Sequence, residues 1–425
     1  SSAIMAPDLS IVEFHSDDRK YRCGYCKKLT QSSGMWAHQM LVEDYHYCYK
    51  PTMNETCCPM YTIKCAALEF RLAKSHKKIL KQMHRFLATG DRKRSSIRDS
   101  NSSLDQGKII NILFLGKKLD ICGKAKFKRR ERKKQKLISQ GMTPEEAEAL
   151  MKENRLKKSQ PKGVEDFVNA PMPENPAHRL EIKLVRTRSE EFEETFDVSW
   201  ALYTKYQMAV HNDPPEECTR KSYSEFLVFS PLKVGNGSPP KGYGSFHQQY
   251  WLDGKLIAVG VLDILPKCVS SVYFFYDPDY KDLTLGTYGS LREVMFVRSL
   301  QAFSPSLRFY YMGYYIHSCP KMRYKANLSP SFLLCPETYG WFPIKECLAK
   351  LDQLESSQYC RFNPDLDATD TEGETDLGKS CDDLYVILRL AQLEDESEEV
   401  EKIKEYAMLV GKKCANRMLL LRTNN

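Results

Sequence analysis

The chain of 425 residues is 42% hydrophobic and 28% charged, and its formal net charge at pH 7 is +8. These values are ordinary for a globular protein with a buried core, and no apolar run reaches the ~20 residues of a membrane span, so no membrane partner is expected. Because the N-terminus lacks the pattern of a secretory signal, the 15 cysteines predict thiols and metal ligands more than disulfides.

Two pairs of cysteines lie near the N-terminus. Cys23 and Cys26 are separated by two residues, and Cys57 and Cys58 are adjacent. A Cys-x-x-Cys turn brings both sulfurs to one side, so the four thiols predict a zinc site or an iron–sulfur cluster, and adjacent cysteines favour a cluster. Buried free thiols are the alternative. The spare candidate ligands are His38, Cys48 and Cys65.

Two basic elements follow the cysteines. Lys74–Leu87 has apolar residues at helical spacing and predicts an amphipathic helix. Residues 123–136 carry nine basic side chains and one acidic side chain, which favours either a polyanion such as RNA or a nuclear-localisation signal. The candidate RNA contacts are Lys77, Lys78, Lys81, Arg85, Lys128, Arg129 and Arg130.

A proline-rich stretch, residues 158–177, marks a domain boundary. Before it, Thr143–Glu146 predicts a capped helix start, and the helix should run to about Lys157. The sequence thus predicts a Cys-rich metal-binding domain (15–90), a basic linker with a helical segment (91–177), a second domain (178–350), and an acidic tail with a C-terminal helix over 400–421 (351–425).

The second domain alternates between strand and helix patterns. A two-residue turn, Asp253-Gly254, predicts a hairpin. The last strand, helix and strand should form a parallel, right-handed unit, with Thr284 as the cap of its helix. The predicted elements are strands Leu180–Val185, Ser245–Leu252, Ile257–Leu265, Val269–Tyr276 and Phe309–Ile316, and helices over Glu190–His211 and after Thr284.

Two glycines, Gly286 and Gly289, lie where the strand ending at Tyr276 leads into the last helix. Glycine lets a ligand approach the backbone, and a helix start carries unpaired N–H donors, so a cradle for a phosphate or a carbonyl oxygen is one interpretation. The other interpretation is close packing between the strand and the helix.

Several segments resemble arginyl-tRNA–protein transferases. The region around the four cysteines resembles the N-terminal domain of that family, in which these cysteines are taken as ligands of a metal or cluster. Four pieces resemble its C-terminal domain: Lys205–Glu217, Gly242–Tyr280, Leu285–Glu293 and Tyr310–Lys325. The resemblance implies an α+β fold with a GNAT-like acyltransferase domain, a mixed sheet with flanking helices, beside a small Cys-rich metal-binding domain.

The resemblance also implies the reaction. Arginine would pass from Arg-tRNA to the α-amine of proteins that begin with Asp, Glu or oxidised Cys, feeding the ubiquitin N-degron pathway. The expected location is the cytoplasm, and also the nucleus if the basic run over 123–136 is a localisation signal. Coenzyme A is not expected, and the GNAT pyrophosphate loop Arg/Gln-x-x-Gly-x-Gly/Ala is absent. An acetyl-coenzyme A acyltransferase and a metal-binding RNA-interaction protein with an inert domain are the alternatives. The sequence carries no signal for an oligomeric state.

Aminolysis of an ester needs positioning, a proton acceptor and stabilisation of an oxyanion. We expect Asp277 as the proton acceptor, with His247 as the second candidate and an Asp-Pro turn as the structural alternative for Asp277. The remaining candidates line the substrate site, with Tyr314 close to the chemistry. They are Lys205, Tyr206, His211, Gln248, Leu285, Gly286, Thr287, His317, Lys321, Arg323 and Lys325.

Overall fold

A computed structural model of the chain describes residues 9–45, 56–92, 131–159, 162–235, 239–355, 358–368, 406 and 418–421. The chain divides into two compact units. The first combines Ser1–Arg92 with Val164–Asn425, and the second is Lys93–Gly163. The predicted RNA contacts Lys128, Arg129 and Arg130, and the acidic segment beyond residue 368, lie outside the described residues.

Among the described residues, the strands of the first unit form two sheets. They are β1 (Ser10–Arg22), β2 (Leu29–Gln39), β3 (Tyr61–Ala66), β4 (Leu180–Arg186), β5 (Gly244–Leu252), β6 (Lys255–Ile264), β7 (Cys268–Tyr276), β8 (Phe309–Tyr315), β9 (Ser331–Leu334), β10 (Trp341–Pro343) and β11 (Met418–Leu421). The larger sheet has the order β10-β9-β3-β8-β7-β6-β5-β4, and the smaller has the order β11-β1-β2.

Helices cover both faces of the larger sheet. The helices labelled here are α1 (Lys74–Thr89), α2 (Pro144–Ser159), α3 (Val164–Val168), α4 (Glu190–Tyr206), α5 (Arg220–Leu227), α6 (Leu285–Gln301) and α7 (Ile344–Leu351). Side chains of α1 and α6 pack with Phe246 and Tyr250 of β5 on one face, and Phe192 of α4 packs against His247 on the other. The predicted mixed α+β class is therefore confirmed.

The strand pattern of the second domain is confirmed in detail. Asp253 and Gly254 form the hairpin turn with φ of 49° and 82°, which suits a two-residue turn between strands that twist to the right. β5, β6 and β7 are antiparallel neighbours, whereas β7 and β8 are parallel and joined through α6. Because parallel strands end at the same edge of a sheet, Tyr276 and Tyr315 mark one edge, which we call the strand-end edge.

The parallel ladder between β7 and β8 is short. Its pairs run from Cys268↔Phe309 to Ser270↔Tyr311, although both strands continue for four residues or more. Beyond these pairs, β7 stays paired with β6 and β8 stays paired with β3. We call the stretch in which Val272–Tyr276 and Met312–Tyr315 are not paired with each other the strand gap; it extends to the strand-end edge.

Two predictions about the ends of the chain change. β3 follows the Cys-rich segment directly but lies between β9 and β8 of the larger sheet, so that segment is continuous with the second domain. The prediction of one helix over 400–421 is wrong at its end, because Met418–Leu421 is a strand parallel to β1. Met418 and Leu420 are buried against Val12 and Phe14 of β1, and this tertiary contact stabilises the extended form.

The second unit contains the predicted capped helix. The Thr143 hydroxyl accepts from the Glu146 N–H at 3.2 Å, and the Glu146 carboxylate accepts from the Thr143 N–H at 2.9 Å. This reciprocal pair is a capping box at the start of α2. Residues 131–138 are helical as well, and Lys134 pairs with Glu148 at 3.0 Å.

One arginine of α6 connects three segments that are far apart in sequence. Arg298 donates to the carbonyls of Ala67 and Phe70 at 2.7 and 2.9 Å, and to both carboxylate oxygens of Glu165 at 3.0 and 3.1 Å. Arginine is suited to this role because its donors lie in a rigid plane. The contacts join the segment after β3 and helix α3 to the helix that begins at the strand-end edge.

We expect Arg298→Met to lower the free energy of unfolding by about 2 kcal/mol, because two carbonyls and a carboxylate lose their donor. Lys221→Met is the matched control, since Lys221 is 82% exposed and pairs with Glu225 at 3.8 Å on the surface, a contact worth about 0.5 kcal/mol or less. Urea denaturation of both variants measures the difference, and equal losses would contradict the role of Arg298.

Candidate functional site

The four predicted metal ligands come together. The sulfurs of Cys23, Cys26, Cys57 and Cys58, which we call the cysteine group, all lie within 4.8 Å of one another, and those of Cys26 and Cys57 are 3.3 Å apart. The turn after Cys23 is stabilised by backbone bonds to Lys27 and Lys28, with Lys27 in the left-handed region at φ 63°. The Tyr25 N–H points at the Cys23 sulfur at 3.4 Å.

The cysteine group fits a metal ion or cluster. Tetrahedral Zn–S bonds of ~2.3 Å place sulfurs slightly under 4 Å apart, which is compatible with this spacing. Burial and the neighbouring thiols raise the pKa of Cys57 and Cys58, so crowding four thiols is unfavourable unless a cation offsets their charge. Of the spare candidates, His38 pairs with Glu13 and Cys65 lies buried in β3, whereas Cys48 lies outside the described residues.

The cysteine group packs directly against the segment that follows β8. Cys23 and Cys58 form one buried cluster with Ile316, and Cys319 and Met322 lie against it. This contact brings the N-terminal site to the strand-end edge. The sequence could not predict it, because Cys58 and Ile316 are separated by more than two hundred and fifty residues.

Asp277 sits in the middle of an ionic network. It is 1% exposed, and its two oxygens accept from Lys205 at 2.6 Å and Lys255 at 2.7 Å. Burial alone would raise the pKa of Asp277, but these two ammonium groups and the Asp279 N–H hold it below its ordinary value. Asp277 therefore stays ionised and is a weak proton acceptor. This geometry argues against its predicted role as the catalytic base.

The second candidate base cannot reach a substrate. His247 is fully buried, its Nε2 lies 2.8 Å from the Leu227 carbonyl, and burial lowers its pKa to about 4. Gln248 is also buried and accepts from Tyr250 at 2.7 Å. Both side chains belong to covered faces of β5, which a pattern of alternation cannot distinguish from an exposed face.

The start of α6 lies at the strand-end edge, and its two glycines differ. A Cβ at Gly289 would lie 2.3 Å from the Phe274 ring, so this glycine serves close packing, whereas the space beside Gly286 is open. Thr284 precedes the helix with φ 56° and makes no side-chain cap, which corrects the predicted role. Leu285 is buried and Gly286 and Thr287 are half-buried, and the three carry the helix's first N–H groups.

The end of α4 forms one wall of the edge. Tyr206 packs against Tyr276 and His211, with ring centroids 5.1 and 5.5 Å apart, and Tyr273 lies 3.4 Å from His211 Nε2. Partial burial of the ring, with the charges of Lys321 and Lys27, lowers the pKa of His211. An exposed imidazole that is neutral at pH 7 therefore lies at this edge.

The segment after β8 forms the facing wall. Lys321 lies 3.5 Å from the Val210 carbonyl, so the two walls meet as predicted. His317 has both ring nitrogens engaged, by Tyr315 and by Asp352 at 3.0 Å each. Arg323 is exposed and contacts the His317 carbonyl at 3.0 Å, and Tyr314 is half-buried.

Lys325 does not face the solvent with its neighbours. It is 9% exposed and donates to the carbonyls of Met312 and Tyr314 at 2.7 Å each, and burial lowers its pKa to about 8. A buried ammonium with these partners is occupied by β8, so the predicted contact of Lys325 with a substrate carboxylate does not fit its position.

Two residues of the site escaped the sequence analysis. Lys255 shares Asp277 with Lys205, and only the hairpin brings it there. Glu293 of α6 is 1% exposed, accepts from the Tyr310 hydroxyl and leaves Oε1 without a partner. Burial raises the pKa of Glu293 to about 7. The sequence did carry a signal for Glu293, because this carboxylate lies on the same face of α6 as the buried apolar residues.

The predicted basic helix is confirmed as α1, with Leu80, Met83, Phe86 and Leu87 buried. Lys81 is exposed and Lys77 and Lys78 are half-buried, whereas Arg85 pairs with Asp91 at 3.6 Å. Within the described ranges, none of the helices is both long and apolar enough to cross a membrane.

Comparison with known proteins matches two family models, described as the N terminus and the C terminus of arginine-tRNA-protein transferase, to residues 21–78 and 198–335. Arginyl-tRNA–protein transferase 1 of Drosophila melanogaster is 40% identical, covering 97% of this chain and 100% of that protein. Arginyl-tRNA–protein transferase 2 of Arabidopsis thaliana is 32% identical, covering 79% and 75%. An aspartate/glutamate leucyltransferase of Stutzerimonas stutzeri is 36% identical, covering 32% of this chain and 51% of its own.

We expect the protein, purified without oxygen, to carry about one metal ion or cluster per chain and to lose both the metal and thermal stability when all four cysteines of the group become Ser. Cys218→Ser is the matched control, because Cys218 is buried outside the cysteine group. Elemental analysis and thermal melts measure the two effects. Less than about a tenth of an equivalent each of zinc and iron in the wild type would contradict the metal site.

Proposed function

The chain belongs to the arginyl-tRNA–protein transferase family, and we propose that it moves arginine from Arg-tRNA to the α-amine of proteins that begin with Asp, Glu or oxidised Cys. The observation that carries this proposal is the 40% identity to a transferase of that name over 97% of the chain. In our proposal the product enters the ubiquitin N-degron pathway, and the enzyme works in the cytoplasm and the nucleus.

A GNAT-like arrangement of the second domain is part of the proposal. Its support is the parallel pair β7 and β8, which are joined by α6 and stop pairing after Ser270↔Tyr311. Ligands of open α/β sheets bind beyond the carboxyl ends of such strands. The donor's ester would sit at this edge, near the N–H groups of Leu285, Gly286 and Thr287, whose helix start suits a developing negative oxygen.

We assign the proton-accepting role to His211. The attacking α-amine has an ordinary pKa of about 7.7–8.0, so it must lose a proton before or during attack on the activated ester. Asp277 is held ionised by two lysines and His247 is buried, whereas His211 is exposed beside Tyr273 and Lys321. A neutral imidazole can take the amine's proton, and no covalent nucleophile is required.

Two cations of the segment after β8 suit the acceptor's carboxylate. Lys321 reaches the end of α4, and Arg323 is exposed on the same segment. Lys205 stays engaged with Asp277 and Asp279 at 2.6 Å each, so it orients this network rather than binding substrate. The relative whose name specifies aspartate and glutamate supports an acidic acceptor.

Cys23, Cys26, Cys57 and Cys58 would hold the zinc ion or iron–sulfur cluster. The bound group would stabilise charge among the four thiolates and so order the loops that carry them. The chain's own contribution is the packing of Cys23 and Cys58 on Ile316, which supports the wall carrying Lys321 and Arg323.

The tRNA would bind through Lys77, Lys78 and Lys81 of α1 and through the basic run that includes Lys128, Arg129 and Arg130. Phosphate contacts by lysine and arginine release counterions, so binding should weaken steeply with added salt. Arg85 is a weaker candidate, because Asp91 competes for its charge.

The test of the function combines labelled arginine, an arginyl-tRNA synthetase, tRNA and peptides that begin with Asp, Glu, Asn or Ala. We expect label in the Asp and Glu peptides only, and none when the tRNA is digested with ribonuclease before charging. An acetylated Asp peptide is the control without a nucleophile. Equal labelling of all four peptides, or labelling without intact tRNA, would sink the proposal.

Replacing Lys321 or Arg323 should reduce the enzyme's preference for peptides that begin with an acidic residue. A charge-assisted contact is worth about 1.5–3 kcal/mol, or roughly ten- to a hundredfold in kcat/KM. We expect Lys321→Ala or Arg323→Ala to lower kcat/KM for the Asp peptide by that factor and to leave the Ala peptide unchanged. Lys345→Ala, an exposed residue of α7, is the control. A preference that survives in both variants would place the carboxylate elsewhere.

The pH profile tests His211. Protonation of the amine alone makes log kcat/KM fall with slope one below its pKa of about 8. The pKa of His211 is lowered from its ordinary 6.5. Protonation of His211 should therefore raise the slope of log kcat/KM against pH from one to two only below pH 6.5. We expect His211→Gln to lower kcat about a hundredfold and to keep slope one, whereas the control His38→Gln keeps the wild-type profile. A slope of one throughout in the wild type would rule out this role.

A further inference from the structure

The β7 edge of the strand gap presents backbone groups without a ladder partner. The Asp277 N–H donates to the Ile257 carbonyl at 2.8 Å, which directs it toward β6. In an antiparallel pair, alternate residues point both backbone groups at the partner strand. With the register Phe275↔Val259 and Tyr276↔Ala258, Phe274 and Tyr276 must point their N–H and C=O groups away from β6, toward β8.

The opposite edge is closed by Lys325. Its ammonium donates to the Met312 and Tyr314 carbonyls at 2.7 Å, the β8 residues that follow the last pair with β7. Lys325 thus supplies a donor to these two β8 carbonyls, and the β7 edge is the one left to offer hydrogen bonds to a ligand.

We propose that the N-terminal residues of the acceptor polypeptide bind in the strand gap as a short added strand, hydrogen-bonded to the backbone of Phe274 and Tyr276, with Lys325 holding β8 apart. The inference rests on the proposed function, since it concerns how that reaction's acceptor is held. Main-chain recognition of this kind gives affinity without selecting side chains beyond the first residue.

The acceptor suits this edge better than the donor does. Phe274 and Tyr276 are alternate residues, so their backbone groups repeat at about 6.4–6.8 Å, the repeat of any extended polypeptide. An aminoacyl ester of a nucleotide has one carbonyl and no repeating amides. Tyr276 also lies beside Tyr206, with ring centroids 5.1 Å apart, and Tyr206 packs in turn on His211 at 5.5 Å. The end of the β7 edge is therefore close to His211, which the first residue of the acceptor needs in the proposed function.

The experiment uses acceptor peptides that begin with Asp and carry one ester oxygen in place of an amide N–H. The replacement is made at the bond between residues 2 and 3, between residues 3 and 4, or, as a control, between residues 7 and 8. We expect kcat/KM at saturating Arg-tRNA to fall about three- to tenfold at one of the first two bonds, the loss of one hydrogen bond. The neighbouring bond, which faces away, and the control should stay near the unmodified peptide.

The outcomes separate the two proposals. No arginylation of the unmodified peptide would overturn the proposed function. Normal arginylation with no loss at either bond would overturn strand binding alone, and so would an equal loss at both bonds, because an added strand must alternate.

Lys325→Met tests the other edge. Without the ammonium, the Met312 and Tyr314 carbonyls lose their donor and β8 is free to close on β7, so we expect kcat/KM to fall and the single-bond effect of the ester to disappear. Lys345→Met should keep both. An ester effect that persists in a folded Lys325→Met variant would remove Lys325 from the proposal. If that variant melts below the assay temperature, the ester peptides tested on the wild type alone decide whether the acceptor binds as a strand.

Discussion

The parting of β7 from β8 is the constraint on which the rest of the site depends. A buried backbone group that loses its ladder partner must find another, because an unpaired N–H or C=O away from water is costly. On β8 the ammonium of Lys325 meets this need for two carbonyls. On β7 the groups of Phe274 and Tyr276 remain at the gap. The sheet thereby changes from a paired strand at Ser270 to an edge not paired with β8 six residues later.

Burial decides which ionisable groups at this edge are chemically usable. His247, Asp277 and Glu293 are each at most 1% exposed, and their environments differ. Desolvation keeps His247 neutral, and two lysines keep Asp277 charged. Burial raises the pKa of Glu293 to about 7, although the Tyr310 hydroxyl donates to its carboxylate. The pKa of His211 is lowered while its ring stays exposed to solvent, so this imidazole is unprotonated at neutral pH and accessible from solvent.

The cysteine group and the segment after β8 that forms the facing wall pack against each other. Cys23 and Cys58 are buried against Ile316 at the end of β8, and Cys319 and Met322 extend that contact toward Lys321 and Arg323. β3, which follows the second pair of cysteines, lies next to β8 in the larger sheet. A metal bound by the cysteine group would therefore also support the wall that faces α4.

The sequence by itself determined the local features. Alternation, helical spacing and the Asp253-Gly254 turn located β5, β6, β7, α1 and α6 to within a few residues, because these patterns reflect backbone periods of two and 3.6 residues. The spacing of Cys23, Cys26, Cys57 and Cys58 and the family motifs identified the ligand set and the reaction. Only the tertiary structure decided which face of β5 is covered, that Lys325 turns inward, that Asp277 lies between two lysines, and that Met418–Leu421 adds to β1. These outcomes depend on contacts between residues far apart in the chain, and such contacts set burial, charge and strand pairing in ways that no local pattern records.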